Sequence, residues 1–260
     1  MATTTSLRAL ESVERAATAL PVSIPAALRN RYHRLILETD FEGYAHPPDP
    51  FALRWVDPER IERFTSRPYP PYRNRVADLG SVRDGDWDRR SSPPIADDRY
   101  RDRYDLYRGP TFTESVFFQS LEAHFRDGVP WERTPFVTRC LELAAADRPS
   151  WRSLDSKAAI LERCRRIDEL YESIRTDGYR TQRELGVRSI MRVTDEIVVD
   201  VGRDGTILFV NGRHRLAIAK LLDLEAVPVC VLVRHGDWMA HRDRLGRRGE
   251  LNDHPHPDLP

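Results

Sequence analysis

The segment Asp204-Gly-Thr-Ile-Leu-Phe-Val-Asn-Gly-Arg-His-Arg-Leu-Ala-Ile-Ala-Lys220 joins a strand to a helix and largely decides the predicted fold. It begins with an Asp-Gly turn signal, which leads into an apolar run over residues 206–210 that is typical of a buried strand. Gly212 follows, and glycine adopts the positive φ that a sharp turn needs. The apolar spacing after it predicts a helix over 213–222. The segment therefore predicts a strand, a tight turn and a helix in direct succession.

Further elements flank this segment on both sides. Four of the six residues over 196–201 are apolar and β-branched, and the segment predicts a strand that forms a hairpin with 206–210. Residues 227–233 predict a last apolar strand, in which Pro228, near its start, suggests either a sheet edge or a strand end. A long amphipathic helix is predicted over 154–176. Helices and short strands thus alternate in the second half of the chain.

Three basic side chains fall in the first turn of the helix that follows Gly212, namely Arg213, His214 and Arg215. The N–H groups of a first helical turn have no partner within the helix, and the helix dipole adds partial positive charge there. Cations are unfavourable at this position unless an anion lies nearby. We therefore predict that Gly212, Arg213, His214 and Arg215 bind phosphate.

Each of these side chains also has a purely structural interpretation. Arg213 and Arg215 are either exposed to solvent or paired with a buried carboxylate such as Asp200 or Asp204. His214 is either a core histidine bonded to the backbone, or a ligand-binding or acid–base residue. The sequence leaves these alternatives open.

Composition limits the classes of function. The chain has 260 residues, and its 41 basic and 41 acidic side chains give a formal net charge of zero. No overall field attracts it to nucleic acid or to an anionic membrane. The three cysteines are far apart and lack metal-ligand spacing, as expected for a reduced intracellular protein. Neither a secretory signal nor a membrane-length apolar run is present, so a cytoplasmic protein without membrane association is expected.

Two stretches resemble motifs of one protein family. Ile167–Gly178 is similar to the “LxxSIxxxG” helix of the ParB/sulfiredoxin superfamily, and residues 204–229 are similar to its “DG…G.hRl.Aa…vPv” half. Residues 53–61 and Arg73 resemble the opening strand, turn and “pR” element of that fold. The resemblance is strongest over residues 165–235.

The resemblance implies an α+β fold with a small mixed sheet and packed helices. It also implies a ParB/sulfiredoxin-like domain over residues 46–240, whereas the helical segment over 1–45 is predicted from apolar spacing alone. A helical insertion at about 85–155 interrupts that domain, and its polar stretch 89–109 is expected to form a loop. The Pro- and His-containing tail, 241–260, is expected to be disordered.

Members of this family use the turn at Gly212 for different chemistry. Partition-type members resemble cytidine-triphosphate switches whose “GERR” turn holds phosphates, sulfiredoxins place a catalytic Cys before the His-Arg, and free-serine kinases place an acid before the Gly. Here Arg213 occupies both the Glu and the Cys positions, and Asn211 occupies that of the acid. Sulfinic-acid chemistry therefore does not carry over, and a general base at this position is in doubt. The family feature that does carry over is anion binding, which the resemblance implies for Gly212, Arg213, His214 and Arg215.

Other candidate site residues lie farther from the turn. The nucleotide contacts that the resemblance implies are Tyr179, Arg180, Gln182 and Arg73. Glu172 on the long helix is a candidate catalytic residue beside His214, although charges on such a helix usually face solvent.

The cluster Asp84-Gly-Asp-Trp-Asp88 has two interpretations. Asp86 and Asp88 are candidate Mg²⁺ ligands, because carboxylate oxygens near a phosphate site bind this ion. The alternative is an Asp-rich turn with one buried Trp.

Three functions are compatible with these features. The first is an intracellular protein that binds a nucleotide or a phosphorylated small molecule, either as a phosphotransferase or as a nucleoside-triphosphatase switch with a nucleoside triphosphate and Mg²⁺. The second is a nucleic-acid-binding module, which the balanced charge disfavours. The third is a non-catalytic scaffold. Whether the protein is an enzyme, and its oligomeric state, stay open at this stage.

Overall fold

The structure is a computed structural model that describes most of the chain after the N-terminal region. The described residues are 37, 39–90, 92–95, 100–148, 151 and 154–259. The helices predicted within residues 1–45 lie almost wholly outside them. The proposed domain boundaries therefore stay a prediction.

A mixed six-stranded sheet organises the described residues and confirms the expected α+β class. Its strands are β1 (Arg54–Val56), β2 (Arg63–Phe64), β3 (Ser81–Arg83), β4 (Ile197–Val201), β5 (Ile207–Asn211) and β6 (Val227–His235). Their order is β1-β6-β4-β5-β2, and β3 pairs with β6 beyond the end of β1. The pairs β4–β5 and β1–β6 are antiparallel, whereas β2–β5, β3–β6 and β4–β6 are parallel. The predicted hairpin is thus confirmed.

Helices connect the strands and supply much of the core. The α-helices are α1 (Arg75–Asp78), α2 (Arg101–Tyr107), α3 (Val116–Phe125), α4 (Pro135–Ala145), α5 (Lys157–Asp177), α6 (Arg213–Leu221) and α7 (Gly236–Arg248). Short 3₁₀ helices are Pro58–Arg60, Trp131–Arg133 and Ile190–Asp195. None of the helices that the structure describes combines the length and the apolar character that a membrane span requires.

The alternation of side chains along β4 and β5 creates two hydrophobic cores. Val199 and Phe209 face the larger core, which also contains the buried residues of α3 to α6. Val198 and Leu208 face a smaller core on the other side, which is covered by Leu79, Trp87, Ile190 and neighbouring residues. Because both faces of the sheet are covered, β4 and β6 are buried along their whole length.

Local signals define the ends of the long helices. Ser156 is the N-cap of α5, since its hydroxyl accepts a hydrogen bond from Ala159 N at 3.3 Å. Gly178 follows the last turn with a φ of 77°, which completes α5 where the sequence predicts. Ser115 caps α3 in the same way, accepting from Phe118 N at 3.2 Å.

Three expectations differ from the structure. The stretch 89–109 is not only loop, because α2 forms within it. Strand β6 is central and not at an edge; Pro228 is its second residue, opposite Trp55 of β1, and so fits the strand-end alternative. Two turns along its helix, Lys220 is expected on a solvent-exposed face, but it is buried, with its ammonium 3.3 Å from the Glu59 carboxylate.

The predicted disordered tail over 241–260 is also wrong for the residues that the structure describes. Helix α7 extends to Arg248, and the segment after it returns to the core. Asp258 is buried there and accepts hydrogen bonds from Arg234 Nε and Trp238 Nε1, both at 2.9 Å. Since these partners come from β6 and α7, the tail is ordered by long-range contacts that local composition does not reveal.

Candidate functional site

The turn between β5 and α6 requires glycine for two reasons. Gly212 has a left-handed conformation with a φ of 89°. A Cβ atom at this position would lie 2.9 Å from Ile197 Cα and 3.1 Å from the Glu196 carbonyl oxygen. The first hydrogen bond within α6 runs from Leu216 N to Gly212 O, so the N–H groups of the first turn are not used within the helix. The turn thus places an open helix N-terminus against the start of β4.

A cavity of about 730 Å³ opens at this helix end. Its described lining comes from the α1 turn, α2, α5, Trp151, the start of β4 and the β5–α6 turn. The charged residues in that lining are Arg75, Arg103, Arg163, Asp195, Glu196, Arg213 and Arg215. Five arginines and two carboxylates leave an excess of three positive charges. The predicted phosphate-binding residues Gly212, Arg213, His214 and Arg215 all line the cavity.

Arg213 is the cation that internal carboxylates do not neutralise. Its guanidinium lies over the ring of Tyr107, with Cζ 3.6 Å from the ring centroid. Among the described residues, no carboxylate is within ion-pair distance of Arg213, and the residue is only half-buried. The stacking holds the guanidinium in place while leaving its charge available to a ligand.

Arg215 is held by the protein itself. Its Nη1 donates to Glu196 Oε2 at 3.0 Å and lies 3.4 Å from the Tyr179 hydroxyl, while its Nη2 donates to the Asp195 carbonyl oxygen. The Gln182 amide oxygen, when oriented toward Arg215, accepts from Nη1 at 3.1 Å. Arg215 therefore has one fixed orientation at the cavity wall.

The carboxylate-pairing alternative thus holds for Arg215, but with a different acid from those proposed. Asp200 instead accepts from Arg67 Nε at 2.7 Å in a buried pair. Asp204 accepts from the backbone and hydroxyl of Thr206 in the hairpin turn.

Glu196 is the buried carboxylate of the site. Its side chain is 1% exposed, and this burial raises the pKa of Glu196. Hydrogen bonds from Gln182 N, at 2.6 Å, and from Arg215 oppose the rise by stabilising the carboxylate. Both carboxylate oxygens are engaged by these donors. Glu196 therefore orients Arg215 and also cancels part of the positive charge of the cavity.

Asp195 and Arg75 form a second pair on the wall. Arg75 Nη2 donates to Asp195 Oδ1 at 2.8 Å, and Arg75 Nε donates to Thr194 Oγ1 at 3.3 Å. These bonds fasten the α1 turn to the 3₁₀ helix that precedes β4.

His214 lies between the cavity and the larger core. Its ring is stacked with Trp151, at a centroid distance of 6.2 Å and an interplanar angle of 16°, and makes an edge contact with Phe117 at 5.2 Å. It also lines the cavity. The structural and the ligand-binding interpretations are therefore both compatible with its position.

The remaining nucleotide-contact candidates are dispersed. Tyr179 and Gln182 contact Arg215 behind the wall, and burial raises the pKa of Tyr179 to about 12. Arg180 pairs with Asp177 at 3.4 Å. Arg73 is exposed and does not belong to the described lining, where Arg75 takes its place. Only Tyr179 and Gln182 thus contact a residue of the cavity wall.

Glu172 is not part of the site. Its side chain is 56% exposed on α5 and pairs with Arg175 one turn away. The described cavity lining includes Arg163 and Leu170 from this helix but not Glu172. The prediction of Glu172 as a catalytic residue beside His214 is therefore wrong for this arrangement.

The Asp84–Asp88 cluster forms a structural contact and not a cation site. Asp88 accepts from Arg203 N and Nε, both at 2.9 Å, and Asp86 accepts from Arg203 Nη2 at 2.7 Å. These hydrogen bonds lower the pKa of Asp88 to about 2. Trp87 is buried beside them, as in the Asp-rich-turn interpretation. No group of three potential metal ligands occurs among the described residues.

No family model, curated protein or solved structure matches the chain. The resemblance to the ParB/sulfiredoxin superfamily therefore stays a prediction.

Several residues of the cavity wall were not identified from the sequence. They are Tyr72, Arg75, Arg103, Arg163 and Glu196. Arginine is so frequent in this chain that a single one carries no local signal. The sequence pattern predicts Glu196 only as the first residue of a strand, and an acid at the edge of an apolar run is the one clue that the sequence offers.

Proposed function

We propose that the cavity beside α6 binds a phosphate-bearing small molecule, either a nucleotide or another phosphorylated compound. The observation that carries the proposal is Arg213, a half-buried cation at an open helix N-terminus without a described carboxylate partner. An anion there gains both the guanidinium charge and the unused N–H groups of the first turn.

The charge of the wall supports a ligand with several negative charges. Arg75 and Arg215 are paired with Asp195 and Glu196, whereas Arg213 has no carboxylate partner among the described residues. The guanidinium group of arginine can bind two oxygen atoms of a phosphate at once. With five arginines against two carboxylates in the described lining, a di- or triphosphate group fits this wall better than a monocarboxylate does.

The shape of the cavity favours a small molecule over nucleic acid. A volume of about 730 Å³ falls within the range of small-molecule sites, which is about 300–1,000 Å³. The formal net charge of zero also gives the chain no overall attraction to a continuous phosphate backbone. The nucleic-acid-binding hypothesis therefore takes second place.

Binding and catalysis are separate parts of the proposal. A buried carboxyl group with a raised pKa, such as Glu196, is a candidate general base. Both of its oxygens are engaged by Gln182 and Arg215, however, and this favours an orienting role. We therefore favour phosphate binding without transfer, as in a nucleoside-triphosphatase switch, over phosphoryl transfer.

Isothermal titration calorimetry tests the binding. The probes are inorganic phosphate, pyrophosphate, triphosphate and nucleoside triphosphates, each with and without Mg²⁺. Replacing Arg213→Met should weaken binding by about ten- to a hundredfold, because a charge-assisted contact contributes about 1.5–3 kcal/mol. The matched control is Arg139→Met, which removes an exposed arginine of α4 paired with Glu142.

The outcomes separate the three hypotheses. No heat with any phosphate compound, from a protein that is folded by circular dichroism, contradicts the proposal and favours the scaffold. A salt-dependent gel shift with duplex DNA, in the absence of small-molecule binding, favours the nucleic-acid module. Release or transfer of phosphate from a bound nucleotide shows that the binding protein is also an enzyme.

A further inference from the structure

The aromatic side chains of the cavity wall bear on the identity of the ligand. Three of them line the cavity, namely Tyr72, Tyr107 and Trp151. They differ in what covers their rings, and this difference shows which ring is available to a ligand.

Tyr107 is already covered on the cavity side. The guanidinium of Arg213 lies 3.6 Å from its ring centroid, and the rings of Phe117 and Phe136 pack against it at 5.7 and 5.2 Å. The residue is 8% exposed. Its ring therefore supports Arg213 and is closed to further stacking.

Trp151 is also enclosed by other rings. It is 2% exposed, and it contacts the rings of Phe136 and His214 at centroid distances of 5.0 and 6.2 Å. It thus forms part of the larger core and only closes the floor of the cavity.

Tyr72 is the third aromatic residue of the wall, and its ring is uncovered. It is half-buried, and within the described part of the chain no other ring or guanidinium is stacked on it. One side of the residue packs against the smaller core. Its carbonyl oxygen accepts from Arg75 N at 3.3 Å, and Arg75 is fastened to Asp195. The backbone of Tyr72 is therefore fixed by the α1 turn, and packing against the smaller core limits the motion of its side chain before a ligand arrives.

We propose that Tyr72 stacks on a flat aromatic group of the ligand, so that this cavity selects aromatic phosphate esters over aliphatic ones. The inference rests on the proposed phosphate binding and narrows its ligand class. An uncovered ring in a mostly cationic wall favours binding of a flat aromatic group. Stacking on an aromatic side chain contributes about 1–3 kcal/mol of binding free energy per base. The electron-rich face of such a group is also compatible with neighbouring guanidinium groups. Nucleotides and pyridoxine phosphate share this chemistry.

The test compares ligands of similar charge with and without a ring. Calorimetry on the full chain measures adenosine and cytidine triphosphates against inorganic triphosphate, and adenosine monophosphate and pyridoxine 5′-phosphate against ribose 5-phosphate. The expected ratio of affinities is about tenfold or more in favour of the aromatic member. In Tyr72→Leu the ratio should fall toward one, and in Tyr72→Phe it should be retained, because the ring and not the hydroxyl supplies the contact.

Tyr44→Leu is the matched control, since Tyr44 is another half-buried tyrosine outside the described cavity lining. In Tyr44→Leu, the ratio of the affinities for aromatic and ring-free phosphates should equal that of the unmodified protein. Equal affinities for aromatic and ring-free phosphates, or a ratio that Tyr72→Leu leaves intact, overturn this inference while the proposed phosphate binding stands. If no phosphate compound binds at all, both fail. Preference for nucleotides or for pyridoxine phosphate identifies the source of the ring.

Discussion

Arg213 and Arg215 are neighbours in one helical turn but have different roles. Arg215 is neutralised by Glu196 at 3.0 Å, whereas the guanidinium of Arg213 rests on Tyr107. An aromatic ring leaves the charge of a cation uncompensated, whereas a carboxylate balances it. The sequence predicts both arginines as phosphate ligands, and the structure distinguishes an arginine without a described carboxylate partner from one that is already paired.

If the cavity binds anions as proposed, Glu196 should make that affinity depend on pH. Since burial raises the pKa of Glu196, its carboxyl group gains a proton at a higher pH than an exposed one. Protonation removes the counter-charge of Arg215, so anion affinity should rise as pH falls through this pKa. Glu196→Gln should bind triphosphate about tenfold more tightly than the unmodified protein at pH 7, because it lacks that negative charge at every pH.

The pH profile of anion affinity is measured by competition titrations. Sulfate is the competing anion, because its charge is constant over this pH range. His214 is present in both proteins, so the difference between their profiles isolates Glu196. Glu172→Gln is the control, since it removes an exposed carboxylate outside the described cavity lining. Weaker binding in Glu196→Gln contradicts the electrostatic account and assigns Glu196 a positioning role alone.

At the scale of elements, the β4–β5 hairpin is fastened by one arginine in its turn. Arg203 donates to Asp88 and Asp86, which come from the segment after β3. The Asp88 side chain is 3% exposed, whereas that of Asp86 is 68% exposed. Burial strengthens an ion pair that is fully hydrogen-bonded, and solvent weakens an exposed one. The two acids should therefore contribute unequally.

Asp88→Asn should lower the free energy of unfolding at pH 7 by about 2–3 kcal/mol. The estimate follows from the pKa of Asp88, which falls from 3.8 to about 2 on folding. This contribution is present above pH 3.8 and is lost as pH falls through about 2, so the two proteins should converge in strong acid. Urea unfolding at several pH values measures it. Asp86→Asn, at the exposed end of the same arginine, should change stability by less than about 1 kcal/mol; equal effects at both positions contradict the argument.

Elements with strong local signals were predicted well. The strands β4 and β5 and the helices α5 and α6 follow from their apolar spacing and from caps such as Gly178. Helix α2 was missed because Arg101–Tyr107 carries alternating charges and few apolar residues. Its two buried residues, Leu106 and Tyr107, are too few for a periodic pattern, and they become a helix face only against α3 and the cavity.

At the scale of the whole molecule, the end of the chain is part of the core. The Asp258 side chain is 2% exposed; it pairs with Arg234 of β6 and accepts a hydrogen bond from Trp238 of α7. Arg242 adds a hydrogen bond to the Asp258 carbonyl oxygen at 2.8 Å. The last segment thus fastens α7 to the central strand of the sheet.

Asp258→Asn should destabilise the protein by about 3–5 kcal/mol, because it leaves the buried Arg234 without its counter-charge. Thermal and urea unfolding measure the loss. Asp253→Asn, an exposed acid in the same segment, is the control and should have little effect. If the two variants are equally stable, the end of the chain does not contribute to the core as the structure indicates.

The turn at Gly212, the hairpin before it, the helix after it and the basic cluster at their junction can be predicted from local sequence, because they depend on residues close together in the chain. What faces that junction depends on the packing of distant segments. Tyr72, Arg103, Arg163 and Glu196 come from four separate segments, and no local pattern records that they share a wall. Charge at a helix end is a local property, whereas a cavity and the pairing of its charges depend on how distant segments pack.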